Sequence, residues 1–257
     1  MERKVNRIAV VTGGCGPLGT RITTRLADAG LTVIAADLPS ATDAASFSTE
    51  TGSISTYAID LTDSAALDGL VADIRDEHGA LDVLIHNAAF TGSSALRGWA
   101  VPFDEQSDEA FDAALQLNLA VPFRLTRRAL PLLRSRPGGC IVMVASIYGL
   151  VGPDLRLYTG TGMGNPAGYA AAKGGLVQLT RYLAAVLAPA IRVNAVAPGG
   201  LARGQDPAFV QRYVARTPLG RMGTEDDVTE AITWLSGMDS AYVTGQVLAI
   251  DGGWTAR

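Results

Sequence analysis

Tyr169 and Lys173 are the two side chains of this sequence whose types and spacing best suit proton transfer. They stand four residues apart in segment 168–173, whose pattern predicts a helix, so both should lie on one helical face. A free phenol has a pKa near ~10, which is too high for ready proton exchange at neutral pH. A nearby lysine and a helix N-terminus both stabilise the phenolate. The pair is therefore predicted to form an acid/base centre, although this spacing also occurs by chance on amphipathic helices.

Ser146 and Asn118 are further polar side chains that the pattern places near this centre. Ser146 ends a predicted buried strand, directly after the apolar run 141–145, so its hydroxyl is expected at the ligand edge of the sheet. There it could donate to a substrate carbonyl oxygen as negative charge develops. Asn118 lies on the apolar stripe of a predicted helix, where a buried amide must find hydrogen-bond partners. It is expected either to join core elements or to anchor a chain of water molecules.

A glycine-rich loop, residues 12–19, connects the first predicted strand to a helix. Gly13, Gly16 and Gly19 would let the backbone turn tightly and approach a pyrophosphate at the positive helix N-terminus. The loop lacks the lysine followed by serine or threonine that a P-loop requires, which argues against a kinase or NTPase. A plain strand-to-helix turn is the alternative for an isolated glycine cluster.

Two acidic residues that end predicted strands bear on the choice of cofactor. Asp37 follows the glycine loop at close to the offset of about 20 residues at which a carboxylate accepts hydrogen bonds from an adenosine ribose. It would repel a 2′-phosphate, and segments 13–20 and 33–40 contain no Arg or Lys to bind one. NAD is therefore favoured over NADP. Asp60 could receive the adenine amino group or could cap the helix that follows it.

Composition narrows the class of protein and of partner. The net charge is -4, from 25 acidic and 21 basic residues, and no long run of either sign suggests nucleic acid or an anionic membrane as partner. Cys15 and Cys140 are the only cysteines and belong to no metal-binding pattern, so no metal and no disulfide scaffold are expected. The first apolar run is too short for a signal segment or a membrane span, so we expect a cytoplasmic protein that acts on a small molecule.

Short apolar runs alternate with helical segments along the chain. The alternation predicts right-handed β-α-β crossovers, and continuous apolar runs are typical of parallel strands buried on both faces. We predict one doubly wound Rossmann α/β domain over residues 1–257, with a mostly parallel seven-stranded sheet and helices on both faces. The expected strands are 7–12, 32–37, 55–60, 81–87, 140–146, 192–197 and 247–250, and the expected helices are 20–29, 63–78, 108–134, 167–187 and 225–236.

Two stretches rich in glycine and proline, 91–106 and 147–166, interrupt this alternation. Each follows a predicted strand, so both should lie at the carboxyl edge of the sheet, where α/β folds bind ligands. Their length is better explained by contact with a substrate than by connection alone.

Taken together, these residues resemble the short-chain dehydrogenase/reductase family from Ile8 to Trp254. The resemblance implies that Tyr169 is the general acid/base and that Lys173 lowers its pKa and binds the nicotinamide ribose. It also implies that Ser146 orients the substrate oxygen and that Asn118 supports a proton-relay water. Further family motifs match Asn87-Ala88, Pro198-Gly199 and Asp251-Gly252-Gly253. The implied cofactor-binding residues are Gly13, Gly16, Leu18, Gly19, Asp37, Asp60, Leu61, Asn87, Ala88, Tyr169, Lys173, Pro198 and Gly199.

The chain departs from the family pattern at three places. Pro17 stands at a usual glycine position, so the loop spacing fits the family's extended branch instead. Arg203 replaces the threonine expected to meet the nicotinamide carboxamide. Segment 146–169 is longer than in most members, and its extra residues, Tyr158, Thr159 and Thr161, are expected to form a lid or pocket. The long loop and Pro198-Gly199-Gly200 are similar to members associated with unusual sugars, including legionaminic acid.

The predicted function is reversible hydride transfer between NAD(H) and a secondary alcohol or ketone, possible substrates including a sugar derivative. The resemblance also implies a homodimer or homotetramer formed through long helices such as 108–134 and 167–187. Two alternatives stay open. Methyltransferases hold an adenosyl cofactor with a similar loop and acidic residue, but the Tyr169/Lys173 helix argues against them. A dinucleotide-sensing regulatory protein could share the fold, although a sensor has no need of a proton donor.

Overall fold

A seven-stranded parallel sheet forms the centre of the protein. The computed structural model describes residues 6–92 and 96–256, so residues 93–95 of the first predicted insertion and both chain ends lie outside the described residues. The strands follow the spatial order β3-β2-β1-β4-β5-β6-β7, and every pair of neighbours is parallel. They are β1 (Ile8–Thr12), β2 (Thr32–Asp37), β3 (Ser53–Ala58), β4 (Val83–His86), β5 (Gly139–Val144), β6 (Ile191–Pro198) and β7 (Val247–Ile250). The predicted doubly wound fold is confirmed.

Helices cover both faces of this sheet, which explains why β1, β4 and β5 are buried at every position. The helices are α1 (Pro17–Asp28), α2 (Pro39–Asp43), α3 (Ser64–His78), α4 (Asp108–Leu115), α5 (Val121–Leu133), α6 (Ala167–Leu187), α7 (Pro207–Arg216) and α8 (Glu225–Ser236). The apolar stripes of these helices form one core under α3, α5 and α6 and a second core under α1 and α8.

Local signals set most of these helix boundaries. The Asp63 carboxylate accepts a hydrogen bond from the Ala65 amide at 2.8 Å at the start of α3, and Gly79 ends that helix with a left-handed φ of 69°. At the start of α8, Thr224 and Asp227 form a capping box. The limits of α6, α8, β2 and β7 agree with the sequence prediction.

Other predicted boundaries were wrong for identifiable reasons. Helix α1 begins at Pro17 rather than residue 20, because proline fits the first helical turn. Strand β3 ends at Ala58, so Asp60 lies beyond it. The predicted helix 108–134 contains a π-helical turn, Gln116–Ala120, between α4 and α5. Helices α2 and α7 were not predicted.

A third hydrophobic cluster joins the insertion 147–166 to α7 and the C-terminal segment. Its members share burial and aromatic or large aliphatic character, and they are Ile147, Leu157, Phe209, Tyr213, Met222 and Trp254. In the part of the chain that the structure describes, no helix has the length and apolarity of a membrane span. Those same residues contain no cluster of metal-ligating side chains.

Candidate active site

A cavity of about 710 Å³ opens at the carboxyl edge of the sheet, around the point where the strand order reverses between β1 and β4. Its size is typical of a cofactor or substrate site, and parallel α/β sheets bind ligands at this position. All but one of the predicted site residues line it; Asn118 is the exception. The lining includes Gly13, Gly16, Leu18, Gly19, Asp37, Asp60, Leu61, Asn87, Ala88, Ser146, Tyr169, Lys173, Pro198 and Gly199.

The glycine loop is packed so closely that side chains are excluded at three of its positions, Gly13, Gly14 and Gly19. A Cβ atom on Gly13 would lie 2.8 Å from the Ala88 Cα atom, and Gly13 has a φ of +63°. A Cβ on Gly19 would overlap the Gly13 carbonyl oxygen. Gly16 is the N-cap of α1 and supplies no side-chain cap. The first-turn amides of α1 are thus available to an anionic group at the positive helix end, as binding of a pyrophosphate requires.

Asn87 and Thr12 hold this loop in place. The Asn87 amide nitrogen Nδ2 donates to the carbonyl oxygens of Thr12 at 3.1 Å and Gly13 at 2.9 Å. The Thr12 hydroxyl accepts from the backbone amides of Asn87 and Ala88 at 3.1 and 3.2 Å. Thr12 was missed as a functional residue, although a hydroxyl that ends a buried strand immediately before the loop was a usable signal.

The two acidic residues differ in how they are held. Asp37 accepts from the Cys15 amide at 3.0 Å and from the Leu38 amide at 2.9 Å, so its carboxylate is fixed beside the glycine loop. Asp60 accepts from the amide and hydroxyl of Thr62 at 2.9 and 2.7 Å. Because Asp63 is the N-cap of α3, Asp60 does not cap that helix and instead shapes the turn before it.

Tyr169 lies half-buried in the first turn of α6 and faces the cavity. Burial raises its pKa, and a hydrogen bond with Ser146 and the charge of Arg203 act in the opposite direction without offsetting burial. A lowered pKa with Lys173 as the cause was expected from the sequence, and the structure differs on both points. Ser146, the hydrogen-bond partner of the phenol, also accepts from the Tyr148 amide at 3.2 Å.

Lys173 is fully buried one helical turn after Tyr169. Its ammonium Nζ donates to the Val144 carbonyl oxygen at 2.7 Å and lies 5.7 Å from the centroid of the Tyr169 ring. Burial lowers the pKa of Lys173 to about 8. The bond to Val144 ties α6 to the end of β5, which leads into Ser146, so the serine, the tyrosine and the lysine are fixed relative to one another.

Asn118 is buried in the π-helical turn and faces the start of the first insertion. Its Nδ2 donates to the Phe90 carbonyl oxygen at 3.0 Å, and its Oδ1 accepts from the Phe90 amide at 2.6 Å. The sequence left two roles open for this side chain, and the structure shows the first of them: Asn118 joins the π-helical turn to the backbone at Phe90. A π turn interrupts the regular helical ladder and is often found at functional sites.

Helix α7 supports the Pro198-Gly199 wall of the cavity. The Tyr213 hydroxyl accepts from the Gly200 amide at 2.6 Å, and a Cβ on Gly199 would lie 2.7 Å from that hydroxyl. This helix was missed from the sequence, although Asp206 followed by Pro207 is a helix-start signal, and the Asp206 carboxylate does accept from the Ala208 amide.

The insertion 147–166 is packed against α7. The hydroxyls of Tyr148 and Tyr158 lie 2.6 Å apart, and the Tyr158 ring stacks on Phe209 with centroids 5.3 Å apart. Tyr158, which was expected to form a lid or pocket, therefore packs against the third hydrophobic cluster. Arg203 and Gln205 do line the cavity.

Comparison with known proteins agrees with this geometry. Residues 16–255 match a family model described as enoyl-(acyl carrier protein) reductase. The chain is 32% identical to the 3-oxoacyl-(acyl-carrier-protein) reductase FabG of Thermotoga maritima, over 98% of each chain. It is 33% identical to the cis-4-hydroxycyclohexanecarboxylate dehydrogenase of Sinomonas cyclohexanicum, over 99% of each chain.

A solved structure is also similar to this chain. The short chain dehydrogenase of Leptospira borgpetersenii with bound NAD+ superposes with a TM-score of 0.86 at 30% identity, covering 97% of this chain and 93% of that one. The matches extend over almost the whole chain, and the relatives are named dehydrogenases and reductases. The chain is thus an oxidoreductase that uses a nicotinamide dinucleotide, and it belongs to the short-chain dehydrogenase/reductase family.

Proposed function

We propose that this protein interconverts a secondary alcohol and a ketone with NAD(H), and that Tyr169 is the general acid/base. One observation carries the proposal: Tyr169, Ser146 and Lys173 share a single cavity with the glycine loop and Asp37. A dinucleotide held at the loop can therefore reach the side chains that would handle the substrate hydroxyl. The cradle fits, because Gly13 and Gly19 leave no space for a side chain and Gly16 leaves the start of α1 uncapped.

Each side chain has a role that follows from its contacts. The bound nicotinamide supplies hydride acceptance or donation. Ser146 and Tyr169 would both hydrogen-bond the substrate oxygen, and Tyr169 would take its proton during oxidation and return it during reduction. Lys173 would hold the nicotinamide ribose, as the family resemblance implies. Asn118 would act at a distance, by fixing the Phe90 backbone at the edge of the site.

The finer choice of NAD over NADP rests on Asp37. Its carboxylate lines the cavity beside the glycine loop and is fixed by two backbone amides. A ribose with free hydroxyls can donate to this group, whereas a 2′-phosphate would bring a second negative charge against it. The basic residues of the lining, Lys173 and Arg203, belong to the other segments of the wall, after β5 and β6.

We also propose that the substrate is derived from a sugar. It is supported by the resemblance of the long insertion and of Pro198-Gly199-Gly200 to family members associated with unusual sugars. Thr91, Gln205 and Arg203 also line the cavity and can donate hydrogen bonds to several hydroxyl or carboxyl groups.

We further propose that the chain forms a homodimer or homotetramer. Helices α5 and α6 expose Phe123, Tyr182 and Val186, each about half or more accessible. Leu119 and Leu179 line the same shallow groove as Phe123 and Tyr182. A second copy of these helices would cover this apolar surface, and sedimentation velocity of the unmodified protein would show a monomer if the proposal is wrong.

A direct assay tests the catalytic proposal. The purified protein would be screened against secondary alcohols, including sugar derivatives, with NAD or NADP, while absorbance at the reduced-nicotinamide band is followed. We expect a secondary alcohol to reduce NAD much faster than NADP, and the activity to disappear in Tyr169→Phe. Equal rates with the two cofactors would overturn the assignment to NAD.

A further inference from the structure

The rim segment, residues 201–205, follows β6 and forms one edge of the cavity. Leu201, Arg203 and Gln205 line the cavity, whereas the two residues between them are exposed. The Gln205 side chain closes the segment on itself, because it donates to the Leu201 carbonyl oxygen and accepts from the Arg203 backbone amide at 2.8 Å. The rim segment is therefore a compact turn that keeps its shape as one piece.

This turn is attached to the start of α8 and to the core beneath it. The Ala202 amide donates to the Gly223 carbonyl oxygen at 2.9 Å, and the Gly223 amide donates to the Gly200 carbonyl oxygen at 3.0 Å. Leu201 packs against the second core, under α1 and α8. That core contains Leu18, which lies in the first turn of α1 and also lines the cavity. The rim segment thus reaches from β6 to the core beside the glycine loop.

One ion pair joins the rim segment to α8 through side chains. Arg203 Nε donates at 2.8 Å to the carboxylate of Glu225, the first residue of α8. Burial acts to raise the pKa of Glu225, but hydrogen bonds from Arg203 and from the Glu225 amide outweigh it and lower the pKa. The Arg203 side chain is 46% exposed and that of Glu225 is 20% exposed. Ion pairs at such an edge are weak, so this contact can break and re-form.

We propose that Glu225 is a positioning residue that, through Arg203, holds the rim segment against the cavity and slows release of the bound dinucleotide. A ligand leaves a cavity only when the segments around it move, and such opening steps often limit turnover. The ion pair adds to the barrier for that movement. The inference goes beyond the proposed function, because it concerns retention of the nicotinamide dinucleotide and depends neither on Tyr169 nor on the substrate.

The sign of one substitution separates this role from direct binding of the cofactor by Arg203. If Arg203 bound a phosphate of the dinucleotide, Glu225→Gln would free its charge for that phosphate and slow release. Glu225→Gln also removes a negative charge from the surroundings of an anionic ligand, which again favours retention. Faster release in Glu225→Gln is therefore expected only if the pair holds the rim segment in place.

Stopped-flow displacement of NADH, followed by its fluorescence, measures the release rate directly. Release should be about two- to fivefold faster in Glu225→Gln and in Arg203→Gln, in line with the strength of an exposed ion pair. The double variant Arg203→Gln/Glu225→Gln should release NADH no faster than the faster single variant, because both changes break the same contact. Unchanged or slower release in Glu225→Gln, or additive effects in the double variant, would overturn the proposal.

Asp226→Asn is the matched control. Asp226 follows Glu225 in the first turn of α8 and pairs with Arg21 of α1 at 3.8 Å, and it does not line the cavity. The change removes the same charge from the same helix end without touching the rim segment, so NADH release should stay unchanged. Equal acceleration in Asp226→Asn would assign the effect to charge at the start of α8 and overturn the role of the pair.

The same displacement measured with NADPH keeps the comparison independent of the proposed function. Failure of the proposed preference for NAD would appear as tighter binding of NADPH than of NADH by the unmodified protein. Failure of the catalytic assignment would appear as turnover retained by Tyr169→Phe. Neither result changes the expected order of release rates among the Glu225, Arg203 and Asp226 variants.

Discussion

The two halves of the site are built in different ways: the glycine-loop half lines the cavity, whereas the half formed by the insertion 147–166 and α7 supports the Pro198-Gly199 wall of the cavity. On the side of the glycine loop, main-chain groups of adjacent strands meet directly, and Asn87 joins β4 to the Thr12 and Gly13 carbonyl oxygens. On the opposite side, side chains of distant segments meet, as when Tyr158 of the insertion stacks on Phe209 of α7. A wall formed by closely packed main-chain groups tolerates few residue types, whereas residues in a wall formed by side chains can be substituted one at a time. We therefore expect the glycine-loop half to hold the cofactor and the other half to act on the substrate.

The second half is joined by a chain of polar contacts as well. Arg212 of α7 donates to the carbonyl oxygens of Leu157 and Thr159 in the insertion, and Arg216 pairs with Asp154. The guanidinium of Arg216 also lies 4.4 Å from the ring centroid of the buried Trp254. Changes in this half should therefore act on substrate binding and stability, and changes in the loop half should act on the cofactor.

The largest effect is expected from Tyr169→Phe, at the boundary between the halves. The change keeps the ring and removes the hydroxyl, so kcat should fall by about 10² to 10⁴ while NADH affinity stays nearly the same. Tyr242→Phe is the matched control, because Tyr242 is fully exposed and does not line the cavity. Near-normal turnover in Tyr169→Phe would contradict the assignment of Tyr169 as the acid/base group.

Gly13→Ala should disrupt the glycine-loop half of the site. The added Cβ would meet the Ala88 backbone and the alanine would have to adopt a positive φ, so NADH binding should be lost and stability should fall by roughly 1–3 kcal/mol. Gly160→Ala in the insertion isolates the clash, because Gly160 has a similar φ of +73° but no described atom within 4 Å of the place its Cβ would take. Equal NADH affinities in the two variants, measured by fluorescence titration, would show that close packing of the loop is not required.

Asp37→Ala tests cofactor choice within the loop half. Loss of a charged acceptor of hydrogen bonds should weaken NAD binding by about tenfold and narrow the preference over NADP. Asp43→Ala in the neighbouring helix α2 changes the net charge equally and should leave both affinities unchanged. Calorimetric titration of both cofactors measures this, and an unaltered NAD/NADP ratio in Asp37→Ala would remove Asp37 from the binding site.

The contrast between the halves also explains what the sequence could predict. The glycine loop, Asp37 and the Tyr169/Lys173 helix are local patterns, because the residues that act together lie close in sequence. Other contacts join residues from separate elements: Asn118 hydrogen-bonds the Phe90 backbone, and Tyr213 hydrogen-bonds the Gly200 amide. No periodicity in the sequence reveals such a pairing. The pKa of Tyr169 belongs to the second kind, since burial is a property of the assembled fold.

The smallest effect is expected from Tyr158→Phe, which removes one hydroxyl from the substrate half. The Tyr148 and Tyr158 hydroxyls share a 2.6 Å hydrogen bond in a partly buried setting, so its loss should cost about 1 kcal/mol of unfolding free energy. In a chain of this size that corresponds to a fall in Tm of about 2–4 °C, measurable by calorimetry. The insertion follows Ser146 directly, so a looser insertion should raise the substrate KM modestly and leave NADH affinity unchanged. Tyr242→Phe, which alters a fully exposed tyrosine, provides the baseline. If Tyr158→Phe instead weakened NADH binding as much as it raised KM, the two halves would be coupled, and the assignment of cofactor to one half and substrate to the other would fail.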